Sequence, residues 1–116
     1  MEAPDAFARY LAVWNGEAPV DDLPSVLAEQ YRGHLGSLDR DAAALAEAIT
    51  AYRARMPDVR FAVDHQFGDG EHLASRVRAT ATHPDTGQPL ILVGINVSRW
   101  HDGRLAEEWA VWETPS

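Results

Sequence analysis

The last stretch of the chain carries the first candidate for chemistry. Glu107, Trp109, Val111 and Glu113 alternate with Glu108, Ala110 and Trp112, so in a strand the two sets lie on opposite faces. If Trp109 and Val111 point into the protein, Glu113 does too. A carboxyl in an apolar hollow is harder to ionise than in water, which suits it to moving a proton to or from carbon. The plain alternative is a solvated side chain near the end of the sequence. His65 and His83 fall on the otherwise apolar faces of two other strands, and parity turns both inward as wall residues. With Glu113 they could be read as a metal site, but no short His-x-x-x-His spacing accompanies them, and neither a metal nor any other cofactor is expected. Arg76 falls opposite Leu73, Val77 and Ala79, either in an outer ion pair or as an anchor for a polar substrate group. Asn96 falls opposite Val93, Ile95 and Val97, either as a polar pocket contact or on a hydrated sheet face. Of the aromatic residues, Trp14, Tyr31 and Trp109 are placed along the hollow, where they favour a flat, largely apolar ligand.

These side chains need a scaffold, and the periodicity supplies one. Phe7, Tyr10, Leu11 and Trp14 recur at helical spacing, with Pro4 and Asp5 suited to the first turn and Asn15-Gly16 to the end. A second helix is predicted from Asp21 or Asp22, with Pro24 in its first turn and Leu23, Val26, Leu27 and Tyr31 as its stripe. The segment Tyr31–Gly36 breaks that pattern as a short strand or turn. A third helix begins near Asp39 or Asp41, buries Leu45, Ile49, Tyr52 and Met56, and stops at Pro57. Beyond it the period changes to two. Val59, Phe61, Val63, His65 and Phe67 form one face of a first long strand. Turns at Gly68-Asp69-Gly70, Pro84–Gly87 and His101-Asp102-Gly103 separate three more strands, at about 71–83, 90–100 and 105–114. Three helices followed by four antiparallel strands make an α+β domain over residues 1–116. A curved sheet under the helices would enclose a ligand cavity.

Composition narrows the function. Ten Lys and Arg against eighteen Asp and Glu leave a net charge of −8, which disfavours nucleic acid and anionic membrane surfaces as partners. With no cysteine, disulfides, thiolate catalysis and cysteine-based metal sites are excluded. No secretory leader and no membrane span is visible, so a cytoplasmic protein is expected. Phosphate-binding glycine loops and the Gly-x-Ser-x-Gly elbow are absent.

Several stretches, taken in order, resemble the SnoaL-like polyketide cyclases of the nuclear transport factor 2-like (NTF2-like) superfamily. They are Trp14-Asn15; Tyr31-Arg32-Gly33-His34; Met56-Pro57-Asp58; Gly70–Arg76; Ala81-Thr82-His83; Thr86-Gly87-Gln88; and Asp102–Trp109. The resemblance implies a cone in which a strongly curved antiparallel sheet wraps three helices around an apolar pocket. It also implies a homodimer formed through the outer sheet face, and aldol-type ring closure without cofactor. In the family an Asp four residues after the Trp is the acid/base group; here that position is Glu113, one methylene longer. His34 matches a position at the pocket mouth, where it would polarise or hold a substrate carbonyl. The expectation is therefore acid/base chemistry (cyclisation, isomerisation or dehydration) on a small apolar carbonyl compound. A non-catalytic binding or assembly protein on the same fold is the alternative. An epoxide hydrolase ranks behind both, since the Asp-Arg-Asp set of limonene epoxide hydrolases is not evident.

Overall fold

The computed structural model describes residues 2–114. Helix α1 spans Ala3–Trp14, with a proline in its first turn, and buries Phe7, Tyr10 and Val13. A single 3-10 turn at Val20–Asp22 leads into α2, only Leu23–Val26. Strand β1 (Leu27–Leu35) and the short β2 (Leu38–Arg40) form a hairpin, closed at Gly36 with φ +59°, a backbone conformation that suits glycine. Helix α3 (Ala42–Arg55) starts where the Asp41 carboxylate accepts from the Ala44 N–H at 2.9 Å. Strands β3 (Arg60–Gly68), β4 (His72–Thr82), β5 (Pro89–His101) and β6 (Arg104–Trp112) follow. The six strands make one open sheet in the order β2-β1-β6-β5-β4-β3, antiparallel except where β1 runs parallel to β6. The curved sheet packed by three helices is the expected α+β, NTF2-like architecture.

The core lies between the helices and the inner sheet face. Phe7 and Tyr10 of α1 and Leu45 and Ile49 of α3 pack with Leu73, Val77, Trp100 and Leu105. Burying each large side chain of this kind contributes about 1.5–3 kcal/mol. Two polar clips fix the end of α1. The Asn15 side chain donates to the Phe61 carbonyl at 2.9 Å and accepts from the Phe61 N–H at 2.6 Å. The Arg53 guanidinium donates to the Trp14 carbonyl at 3.1 Å.

Two elements depart from the sequence expectation. The second helix ends at Val26, and Leu27 and Tyr31 belong to β1 instead. Their spacing of four suits a helix and also a strand, and a register shift between Leu27 and Arg32 lengthens the interval between inward side chains. In β3, a register shift between Val63 and His65 inverts the alternation. Phe61 stays opposite Ala79 on the inner face, whereas His65 pairs with Arg76 and is exposed. Phe67 likewise stands exposed.

Candidate functional site

A cavity of about 480 Å³ opens between α1, α3 and the inner sheet face. Phe7, Tyr10 and Trp14 of α1, Tyr52 and Met56 of α3, and Val77, Leu92 and Trp112 of the sheet make most of its wall. Trp14, Tyr52 and Phe61 meet edge to face or tilted, with ring centroids 5.4 to 6.1 Å apart, and Trp112 closes on Phe61 at 5.7 Å. Gly94 makes this possible: a Cβ there would overlap the Trp112 indole.

The cavity contains a buried carboxylate, Glu108, which is 3% exposed. Tyr10 and Tyr31 donate to its Oε2 at 2.7 and 2.5 Å, and Asn96 donates through Nδ2 to its Oε1 at 2.8 Å. Three elements converge here: α1 brings Tyr10, β1 brings Tyr31, and β5 brings Asn96 beside β6. Burial first, and then the adjacent Glu108 charge, push both phenols well above their ordinary range, so they stay protonated donors near neutral pH. An ionised carboxylate offers about four acceptor sites, so three donors leave it room for one more partner. Gly33 permits the Tyr31 placement, since a Cβ at that position would collide with the Tyr31 hydroxyl.

Strand parity on β6 is the reverse of the expected one, and on β5 it settles the open choice for Asn96 on the cavity side. Glu108, Ala110 and Trp112 face the cavity, as do Asn96, opposite Ala110, and Leu92 farther along β5. Trp109 and Val111 stand on the outer face, 40% and 67% exposed. The apolar side chains were a poor guide because the outer face is itself apolar, while the inner face holds the polar network. Trp109 is thus corrected from a cavity wall to an outer-face residue.

The other candidates divide between the two faces. Trp14, Asn96 and His83 line the cavity. Tyr31 is buried against it with its hydroxyl on Glu108. Glu113 also lines the cavity, but it lies beyond the end of β6 and is exposed. Its backbone N–H donates to the Val93 carbonyl at 3.1 Å. His83 is half-buried, and its Nδ1 accepts from the Asp85 N–H at 3.1 Å.

His34, His65 and Arg76 are not brought into the cavity. Arg76 pairs with Asp64 on the outer side, and His65 lies opposite Arg76. His34 stacks on Trp109 with centroids 5.6 Å apart and planes 19° from parallel. Its Nδ1 is 2.6 Å from Asp39 and its Nε2 2.7 Å from Glu107. These two hydrogen bonds, Asp39 first, raise the imidazole above its usual pKa. No group of three or more His, Cys, Asp or Glu among the described residues is arranged to hold a metal ion. No described helix is long and apolar enough to cross a membrane.

Glu108, Tyr10 and Arg40 (which lines the cavity from β2) were not singled out from the sequence. The sequence carried no clear signal for Glu108: the turn at 101–103 alone would set Ser98 against Glu107, and a register shift between Arg99 and Trp100 places Ser98 against Glu108 and Asn96 against Ala110 instead.

The model of the SnoaL-like polyketide cyclase family matches residues 5–114. The chain belongs to this family. The cyclase-family fold recurs in solved structures. IdmH of Streptomyces antibioticus, a candidate polyketide cyclase, superposes with a TM-score of 0.89 at 24% identity, over 97% of this chain and 93% of its own. A SnoaL-like polyketide cyclase from Agrobacterium tumefaciens gives 0.83 at 17%, over 98% and 93%. AclR of Streptomyces galilaeus, a candidate hydroxylase, gives 0.82 at 19%, over 96% and 74%. No curated protein sequence matches significantly. At these identities the likeness establishes the fold, and one fold hosts more than one reaction.

Proposed function

We propose that this SnoaL-like chain catalyses proton transfer on a small, largely apolar carbonyl compound, with Glu108 as the group that takes and returns the proton. The observation that carries this reading is a buried carboxylate inside an aromatic cavity, held by two phenols and an amide. In the proposed step the ionised Glu108 removes a proton from the carbon next to the carbonyl. The C–H bond breaks, its electron pair moves into the enolate, and an O–H bond forms on Glu108. Returning the proton to another carbon isomerises the substrate. If the enolate carbon instead attacks a second carbonyl, a ring closes and the new alkoxide takes the proton from Glu108. Tyr10, Tyr31 and Asn96 fix the carboxylate while its charge changes, and the aromatic wall excludes water. Glu113, on the exposed edge, is assigned to the entrance.

The test is exchange of the α-protons of 2-tetralone in D₂O, followed by NMR. The wild type is expected to accelerate exchange. Glu108→Gln should lower the rate by roughly 10²-fold or more, and Glu113→Gln by less than tenfold. The opposite order would move the chemistry to Glu113. A second reading has its own support: three of the carboxylate's acceptor sites are already taken by Tyr10, Tyr31 and Asn96, which suits a ligand-binding protein without turnover. Tight binding of 2-tetralone with no accelerated exchange would select it.

We further propose that the chain forms a homodimer through the outer sheet face. Ile95, Trp109 and Val111 expose apolar surface there, and neighbouring pairings bring them together across β5 and β6.

A further inference from the structure

Arg40 stands out within the cavity wall. It ends β2, the edge strand, and is half-buried. Its Cζ lies 5.9 Å from the ring centroid of Trp14, another wall residue. Its Nε is buried without a hydrogen-bond partner. Arg55, Arg60, Arg76, Arg78 and Arg99 each have a carboxylate partner, whereas no described carboxylate forms an ion pair with Arg40. A partly desolvated guanidinium whose Nε donor has no partner is costly to keep unless something of opposite charge visits it. Placed over an indole, a guanidinium still keeps the planar fork of donors that matches two oxygens of an anion.

Gly33, paired with Arg40 across the hairpin, supports the same arrangement. A Cβ at Gly33 would press on the Tyr31 hydroxyl and lie 3.4 Å from Arg40 Cγ. The missing side chain therefore lets the Tyr31 hydroxyl and the Arg40 stem lie together. Tyr31 in turn donates to Glu108 at 2.5 Å. The Tyr31 hydroxyl thus lies near both the Arg40 stem and the Glu108 carboxylate, and these two charged groups are both part of the cavity wall.

We propose that Arg40 is a ligand anchor, and that the substrate carries a carboxylate or an equally delocalised enolate oxygen on a flat apolar body. This deepens, and rests on, the reading of the cavity as the substrate site. Repulsion from Glu108 fixes the orientation: the anionic end goes to Arg40 and the uncharged carbon skeleton to Glu108. The chain's net charge of −8 works against casual anion binding, so a preference for anions must come from a local cation.

The test compares 2-naphthoate with its neutral amide, 2-naphthamide, by isothermal titration calorimetry. In the wild type, 2-naphthoate should bind at least tenfold more tightly. Arg40→Gln should bring the two ligands within threefold, Arg40→Lys should keep part of the preference, and Arg55→Gln at the cavity edge should leave it unchanged. Equal binding of the two ligands by the wild type, binding of neither, or loss of the preference in Arg55→Gln would overturn the assignment. The wild-type comparison stands even if a variant fails to fold. The neutral ketone 2-tetralone keeps the two ideas separable. Exchange without an anion preference sinks the anchor alone, and an anion preference without exchange sinks proton transfer alone.

Discussion

Tyr31 donates its hydroxyl to Glu108 at 2.5 Å across 77 positions of sequence, joining the parallel strand pair β1–β6 at the cavity. Tyr10 reaches the same carboxylate oxygen from α1. Because both phenols are held protonated, each is a charge-assisted donor to a buried anion. Tyr31→Phe should therefore destabilise the fold by about 1.5–3 kcal/mol, measured by urea denaturation. In a Glu108→Gln background the same substitution should cost clearly less, because the anion it serves has gone. Additive costs in the double-mutant cycle would show that the contact contributes no coupling.

Gly94 lies against the Trp112 indole, in the space a Cβ would fill. The indole has to give way to any side chain there. Gly94→Ala should cost about 1–3 kcal/mol by overpacking and should weaken binding of 2-tetralone, since Trp112 is cavity wall. Wild-type stability together with wild-type affinity would mean that the indole has room to move that the structure does not show.

Long runs with one clean period were legible in sequence: α1, α3 and the four long strands stand where their spacing put them, within a few residues. What failed was the choice of face. Parity correctly grouped Trp109 with Val111, and Asn96 with Ser98, but it cannot say which group points inward when both faces carry apolar residues. That ambiguity hid Glu108 and promoted Trp109. His65 was lost to a register shift in β3, because one slipped residue turns every later side chain over. Tyr31 was placed near the cavity on a helix that stops at Val26, so that it falls on β1 instead. Arg40 carried no signal at all, since its meaning depends on the parallel β1–β6 pairing and on Trp14 arriving from α1.

The outer sheet face yields a separate prediction. Val111 is 67% exposed and Ile95, its pairing partner, 49%. A charge placed there meets water in a monomer and is buried against apolar surface in the proposed dimer. Val111→Lys should shift the mass measured by analytical ultracentrifugation from twice the chain to once the chain, with the circular dichroism spectrum unchanged. A wild type that sediments as a monomer at high concentration would remove the dimer from consideration.

His34 sits between Asp39 and Glu107, with Arg99 also paired to Glu107 at 3.3 Å, and this cluster sets a pH dependence with a definite sign. The imidazole is raised above its ordinary value by its two carboxylate partners. Its contribution to stability is therefore complete below about 6.5, the unperturbed His value, and is lost as pH rises through the folded-state value. Glu107 is lowered, chiefly by the His34 hydrogen bond. Its contribution is complete above the ordinary Glu range near ~4.3 and is lost as pH falls through its folded-state value. The stability difference between wild type and His34→Gln should therefore be largest between about pH 5 and 6.5 and shrink on both sides. Because the groups are partly exposed, added salt should reduce it. Urea denaturation across pH 4–9 reads this directly. A difference that grows from pH 7 to 9 would mean that the neutral imidazole is the form the cluster stabilises, contrary to the two short carboxylate contacts.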